Sequence, residues 1–208
     1  MNSSKFVYFD VGGVSIIDFS GNDKWTEMKR SFGVTKENEK HFDLVWEKYE
    51  DRICINCDID TVISEFRQVK GISMPDDYSM LADFVERFER NSSIWPVIHA
   101  VKEHYGIGLL TNMYPRMLNA IIERKLIPDL EWNAIVDSSV AGYQKPHPSI
   151  YQKAEEVAKL KPEEIFFIDN SEENVKEANR RGWKTFLYDP RNPEASSKKL
   201  SKLLDLNV

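Results

Sequence analysis

Cysteine is scarce: Cys54 and Cys57 are the only two in 208 residues. They form a C-x-x-C, but no second cysteine pair follows and His41 is the one nearby histidine, so a zinc site lacks half of its ligands. A redox pair would need the motif to open a helix after a strand, and the flanking pattern here is helical on both sides. Two reduced thiols in a loop or at a helix end are expected instead. Long apolar runs are also missing. None is long enough to span a bilayer, and the opening MNSSKF lacks the charged-then-apolar order of a leader, which makes the cytoplasm the expected compartment. Positive charge is not in excess: 28 Lys and Arg against 34 Asp and Glu leave a net charge of −6, with the basic residues scattered. That argues against a nucleic-acid or anionic-membrane surface and favours a small-molecule partner. Internal repeats and low-complexity linkers are absent.

What is present is enough apolar chain, 41% with 12% aromatic, for one well-buried domain with a smaller subdomain. Five short apolar runs each end in a polar residue: Phe6–Phe9 before Asp10, Ile107–Leu110 before Thr111, Ala134–Val136 before Asp137, Ile165–Ile168 before Asp169, and Thr185–Tyr188 before Asp189. Runs of this kind read as parallel strands buried on both faces. Helical patterns at Met117–Ile122, Ile150–Ala158 and Val175–Ala178 alternate with the later runs. The expected fold is therefore α/β, a doubly wound, Rossmann-like parallel sheet. Between the first two strands lie three quartets at i, i+3, i+4 and i+7: Phe42/Val45/Trp46/Tyr49, Ile59/Val62/Ile63/Phe66 and Leu81/Phe84/Val85/Phe88. No strand is evident among them, and Gly71–Asp77 is the expected joint. This predicts a helical cap over residues 17–90, inserted after the first strand into a core of residues 1–16 and 91–208.

Doubly wound sheets bind ligands beyond the C-terminal ends of their strands, where the strand-ending polar residues converge. Asp10 and Asp169 are two carboxylates that repel there unless one is protonated or a cation lies between them, and Mg²⁺ with oxygen ligands would answer that need. Thr111 and Asn112 end a strand ahead of a helix that Pro115 helps to start, and a helix N-terminus beside a hydroxyl suits an anion. Lys145, in GYQKPHPSIY, is held extended by Pro146 before a helix begun by Pro148. Together these describe a phosphate site. Each has a plainer use: a strand-ending Asp often caps the next helix, and Asp169 with Ser171 ahead of Glu172 and Glu173 suits that role.

These residues, in this order, resemble the four motifs of the haloacid dehalogenase-like hydrolase superfamily across nearly the whole chain. FVYFDVGGV is similar to the opening D-x-D-x-[TV], with Asp10 at the nucleophile and Val14 at the closing position. LLTN at Thr111 resembles the second motif, Lys145 the third, and FFIDNSEEN, with Asp169 as first acid, the fourth. The resemblance implies an Asp10 nucleophile, Lys145 as catalytic and phosphate-binding cation, Thr111 and Asn112 on the substrate, and Mg²⁺ held by Asp10, the Gly12 carbonyl and Asp169. It implies a phosphatase acting on a small phosphorylated metabolite through an aspartyl-phosphate, with the helical segment in the cap position. The D-x-G opening resembles a branch of sugar-phosphate phosphatases.

Two positions depart from the motifs. Gly12 replaces the acid that protonates the leaving oxygen and then activates water, a contribution of about 10²–10⁴-fold. Asn170 replaces the second acid of the fourth motif, which predicts weaker Mg²⁺ binding. Without the acid, turnover should favour good leaving groups (anomeric sugar, acyl or aryl phosphates) over alkyl esters. Two other readings stand beside the phosphatase. One is a metal-independent 2-haloacid dehalogenase of the same fold, against which Asp169 speaks; the other is a non-catalytic protein that keeps the phosphate pocket.

Overall fold

A computed structural model describes residues 5–206. Residues 1–4 and 207–208, the outer ends of the expected core and most of MNSSKF, lie outside the described residues. The strands are β1 (Phe6–Phe9), β2 (Ile16–Ile17), β3 (Glu89–Arg90), β4 (Gly106–Thr111), β5 (Ala134–Asp137), β6 (Ile165–Asp169) and β7 (Lys184–Leu187). Between β2 and β3 run α1 (Lys24–Ser31), α2 (Glu39–Glu47), α3 (Ile63–Phe66) and α4 (Met80–Arg87). After β3 come α5 (Trp95–His104), α6 (Met117–Glu123), α7 (Ser138–Ala141), α8 (Pro148–Ala158), α9 (Glu172–Arg180) and α10 (Pro193–Leu203).

The five apolar runs form one parallel sheet in the order β5-β4-β1-β6-β7. β1 sits at its centre, Phe6 pairing with Gly106 on one side and Ile165 on the other. Because strand side chains alternate, the inner strands β1, β4 and β6 each serve two cores, while the edge strands β5 and β7 leave Ile135 and Leu187 exposed. Val7, Phe9, Ile107, Leu109, Phe166 and Ile168 pack into one cluster with α5 and α10. Phe6, Tyr8, Leu110 and Phe167 face the other way, onto Ile150, Tyr151 and Ala154 of α8 and Ala178 of α9. Burying each of the larger side chains contributes about 1.5–3 kcal/mol, which is why these runs read as continuously apolar. β7 stops at Leu187, one residue before the expected end, and the buried Tyr188 hydroxyl donates to the Pro193 carbonyl at 2.8 Å and accepts from Asn91 at 2.9 Å.

The segment between β2 and β3 is helical, and its buried aromatics make its own core: Phe42 stacks on Phe66 at 4.5 Å, and Phe84 meets Trp25 and Trp46 edge-on or tilted. That apolar cluster is continuous with Val7 and Phe9 on the sheet. Three local details differ from the sequence pattern. Tyr49 lies beyond the end of α2, in a turn. α1 carries no apolar quartet and Met28 is its one buried hydrophobic residue, so it left no periodic trace. β2 and β3 pair as an antiparallel ribbon, Ile16 with Arg90 and Ile17 with Glu89, where no strand was evident. Two residues per strand are too few to show alternation. Among the described residues no helix is long and apolar enough to cross a membrane.

Candidate active site

The sheet order sets the location. From β1 the chain builds outward through β4 and β5, then returns to the other side of β1 for β6 and β7, so the direction reverses at the C-terminal end of β1. Asp10 follows β1, while Thr111 and Asp169 are the last residues of its two neighbours. The Asp10 amide donates to the Ile168 carbonyl at 2.9 Å, which carries the ladder one step further into the crevice. The chain then turns sharply: the Val11 carbonyl accepts from Ser15 at 2.9 Å and Ile16 at 3.0 Å, and Ser15 Oγ donates to the Asp10 carbonyl at 2.6 Å. Gly13 takes φ +70°, and a Cβ there would lie 2.2 Å from Asn170 Nδ2, so the turn requires glycine on both counts.

Asp10, Lys145 and Asp169 form one buried ionic cluster. Lys145 Nζ lies 3.0 Å from Asp10 Oδ1 and 2.6 Å from Asp169 Oδ2, and it donates to the Leu110 carbonyl at 2.9 Å. An ammonium has three donors, and these contacts account for all of them. The cation that the two carboxylates need is thus supplied from within the chain. Asp169 is fully enclosed: Oδ1 accepts from the Ser171 amide at 2.8 Å and Asn174 Nδ2 at 3.1 Å, and Oδ2 from Lys145 and Asn174 at 3.2 Å. Ser171, not Asp169, caps α9. Asp10 Oδ1 also accepts from the Val11 amide at 2.7 Å, while Oδ2 makes no hydrogen bond to a described residue. Burial pushes the Asp10 carboxyl up to about 7; Lys145 pulls against this and Asp169 adds to it. Burial draws Lys145 down, but the two carboxylates outweigh it and hold the ammonium above its ordinary value.

Thr111 is fully buried, and its hydroxyl has no hydrogen-bond partner; Trp95 Nε1 is the other such side-chain atom among the described residues. Asn112 is committed to Lys145: its Nδ2 donates to the Lys145 carbonyl at 2.9 Å and its Oδ1 accepts the Lys145 amide at 2.7 Å. The helix expected directly after this strand starts only at Met117, because Arg116 takes φ +72°. Arg116 instead reaches the helical segment, bridging Asp58 at 2.7 Å and Asp60 at 3.0 Å. His147 is exposed and caps α8 through Nδ1.

The crevice above Asp10 holds about 220 Å³. Asp10, Gly12, Asn112, Lys145 and Asn170 make its polar floor, and Phe19, Phe84, Phe88, Tyr114 and Met117 its apolar wall. A thiol and a carboxylate that were not assigned to the site from the sequence also line the crevice. Cys54 is a free thiol that burial pushes up to about 12, with Asp137 adding to the effect, so it stays protonated; Cys57 is also free. Asp18 follows β2, and burial raises its carboxyl while the Ser20 amide lowers it. No pattern marked Asp18, whose place depends on a ribbon two residues long. Among the described residues no group of three or more His, Cys, Asp and Glu is arranged to hold a metal.

Known proteins share this architecture. A family model for haloacid dehalogenase-like hydrolases matches residues 20–187. The bifunctional epoxide hydrolase 2 of Rattus norvegicus is 25% identical over 127 residues, 56% of this chain; the match spans only 22% of that protein. The HAD family enzyme bt-2542 of Bacteroides thetaiotaomicron superposes with a TM-score of 0.73 at 20% identity, covering 97% of this chain and 98% of that one. It has also been solved in complex with magnesium and inorganic phosphate, a form that superposes with a TM-score of 0.68 at 22% identity over 89% of this chain and 94% of that one. The L-2-haloacid dehalogenase of Xanthobacter autotrophicus superposes with a TM-score of 0.62 at 19% identity over 89% of this chain and 77% of its own. At these identities the structural likenesses establish the fold, and the family match establishes the rest: this chain belongs to the haloacid dehalogenase-like hydrolase family.

Proposed function

We propose that the protein is a Mg²⁺-dependent phosphatase of a small phosphorylated metabolite. The observation that carries this is Asp10: a carboxylate at the strand switch point, fixed through Oδ1 by Lys145 and the Val11 amide, with Oδ2 unbonded at the floor of the crevice. Oδ2 attacks phosphorus in line, the ester oxygen leaves, and water then cleaves the aspartyl-phosphate. Lys145 orients Asp10 and favours its ionised form. With all its protons engaged, it acts on the transferring phosphoryl group by charge. The buried Thr111 hydroxyl is unpartnered but does not line the crevice, so it would reach a phosphate oxygen only through a local opening of the floor between Asn112 and Lys145. Asn112 holds Lys145 in place. Residues 17–90 act as the cap, bringing the apolar wall over the substrate.

The site's hard oxygen donors suit magnesium. The Asp10 carboxylate, through the oxygen that does not attack, and the Gly12 carbonyl would hold the ion; Asp169 joins them only by giving up one of its present donors, and Asn170 offers a neutral amide beside Gly13. The bound ion supplies Lewis-acid neutralisation of the phosphoryl charge. The enclosed state of Asp169 favours one rival, a metal-independent dehalogenase in which Asp10 attacks carbon. p-Nitrophenyl phosphate and a 2-haloacid, each assayed with Mg²⁺ and with EDTA, separate the two. Phosphate release that stops in EDTA is expected; halide release that persists in EDTA would sink the phosphatase reading.

A further inference from the structure

We propose that Asp18 is the proton donor and acceptor of this site, taking the place of the acid that position 12 lacks. The inference rests on the phosphatase reading. A Cβ built on Gly12 would lie 2.6 Å from Asp18 Oδ2 and 3.5 Å from its Cγ. The Asp18 carboxylate therefore occupies the space into which a side chain at position 12 would project. The carboxyl group is present at the site, delivered from six residues further along the chain. Gly12 and Asp18 are two halves of one arrangement, since a side chain on the first would displace the carboxylate of the second from its present place.

The surrounding contacts hold Asp18 in this position. Its Oδ1 accepts the Ser20 amide at 2.8 Å, which orients the group and leaves Oδ2 toward Gly12. Its carbonyl accepts from Asn22 Nδ2 at 2.7 Å, and the preceding Ile17 is paired with Glu89 across the ribbon. Asp18 lines the same crevice as Asp10, between the polar floor and Phe19, and among the described residues no cation lies within ion-pair distance of it. A partly buried carboxylate with no ion-pair partner in a crevice is the kind of group that exchanges protons with a substrate.

The proton count closes. As Asp10 Oδ2 forms its bond to phosphorus, the bond from phosphorus to the ester oxygen breaks with its electron pair, and that oxygen takes the Asp18 proton and leaves as the alcohol. In the second half, a water oxygen bonds to phosphorus while Asp18 carboxylate takes one water proton. The Asp10–phosphorus bond breaks, its pair returning to Asp10, and hydrogen phosphate leaves with Asp18 protonated again. Tolerance of alkyl esters follows, contrary to the expectation drawn from Gly12 alone.

The experiment compares glycerol 2-phosphate with p-nitrophenyl phosphate, whose leaving group needs no proton, for the wild type, Asp18→Asn, Asp18→Ala, Gly12→Asp/Asp18→Ala and Asp10→Asn. Thermal unfolding shows that each variant is folded. Asp18→Asn should lose about 100-fold or more in kcat on the alkyl ester and less than about 10-fold on the nitrophenyl ester, because general-acid assistance is worth about 10²–10⁴-fold. The Gly12→Asp/Asp18→Ala exchange should recover at least about 10-fold over Asp18→Ala on the alkyl ester. Equal losses on both esters, no loss, a folded exchange variant that recovers nothing, or a wild type inactive on alkyl esters would each overturn the assignment. Asp10→Asn separates the two readings: activity there removes the nucleophile itself, whereas an inactive Asp10→Asn beside an indifferent Asp18→Asn removes only Asp18.

Discussion

Asp10 is stabilised by its neighbours less than burial penalises it, and this has a measurable consequence. Its carboxyl titrates near 3.8 when solvated and at about 7 in the fold. Between those values the folded chain holds a proton that the unfolded chain has released, so this group's contribution to stability is present below pH 4 and is lost as the pH rises through 7. Asp10→Asn abolishes that loss while Lys145 keeps Asp169. In EDTA, its unfolding free energy should match the wild type near pH 4 and exceed it at pH 7.5, by on the order of 4 kcal/mol. A wild type that is the more stable at pH 7.5 would show that Lys145 outweighs burial. At Asn170 the expectation concerns the ion: a neutral amide beside Gly13 is a poor ligand, so Asn170→Asp should tighten Mg²⁺ about 10-fold or more in an activity titration. Residues were legible where they end an apolar run: Asp10, Thr111 and Asp169. What could not be read was their pairing. The geometry that spends Lys145 between two carboxylates, and Asn112 on Lys145, comes from strand register, and that is not encoded near either residue.

Among the elements, the inner strands β1, β4 and β6 were legible because strands buried on both faces read as apolar runs. The edge strands β5 and β7, expected to be buried on both faces, each leave one face partly exposed. The β2–β3 ribbon and α1 were not legible, one for its length and the other for its nearly uniform polarity. Yet the ribbon positions Asp18, so the least legible element carries the residue that the motif pattern lacks. Arg116, just before α6, ties the sheet side of the crevice to Asp58 and Asp60 on the helical side. The three residues are a quarter to a half exposed, and although Arg116 grips Asp58 through two parallel hydrogen bonds, solvent screening keeps the contribution to stability at about 1 kcal/mol. Arg116→Ala should therefore leave the unfolding midpoint nearly unchanged while altering KM, if the helical segment moves to admit substrate. An unaltered KM would assign Arg116 to the surface alone.

For the whole molecule, the parallel sheet brings together residues far apart in the chain, Asp10 and Asp169 on adjacent strands and Lys145 from the connection between β5 and β6. The helical segment adds an apolar wall, and one hydrophobic cluster runs through both, so the crevice is set by the packing of the entire chain. Net charge plays no part in that placement; three buried charges do, and Asp10 alone among them keeps an unbonded oxygen in the crevice. The central claim is that this oxygen is the nucleophile. Phosphate release from p-nitrophenyl phosphate in saturating Mg²⁺, measured for the wild type and Asp10→Asn, tests it most directly. The variant should stay folded and lose about 10³-fold or more in kcat/KM, as removal of an attacking group does. A folded Asp10→Asn within about tenfold of the wild type would contradict the account.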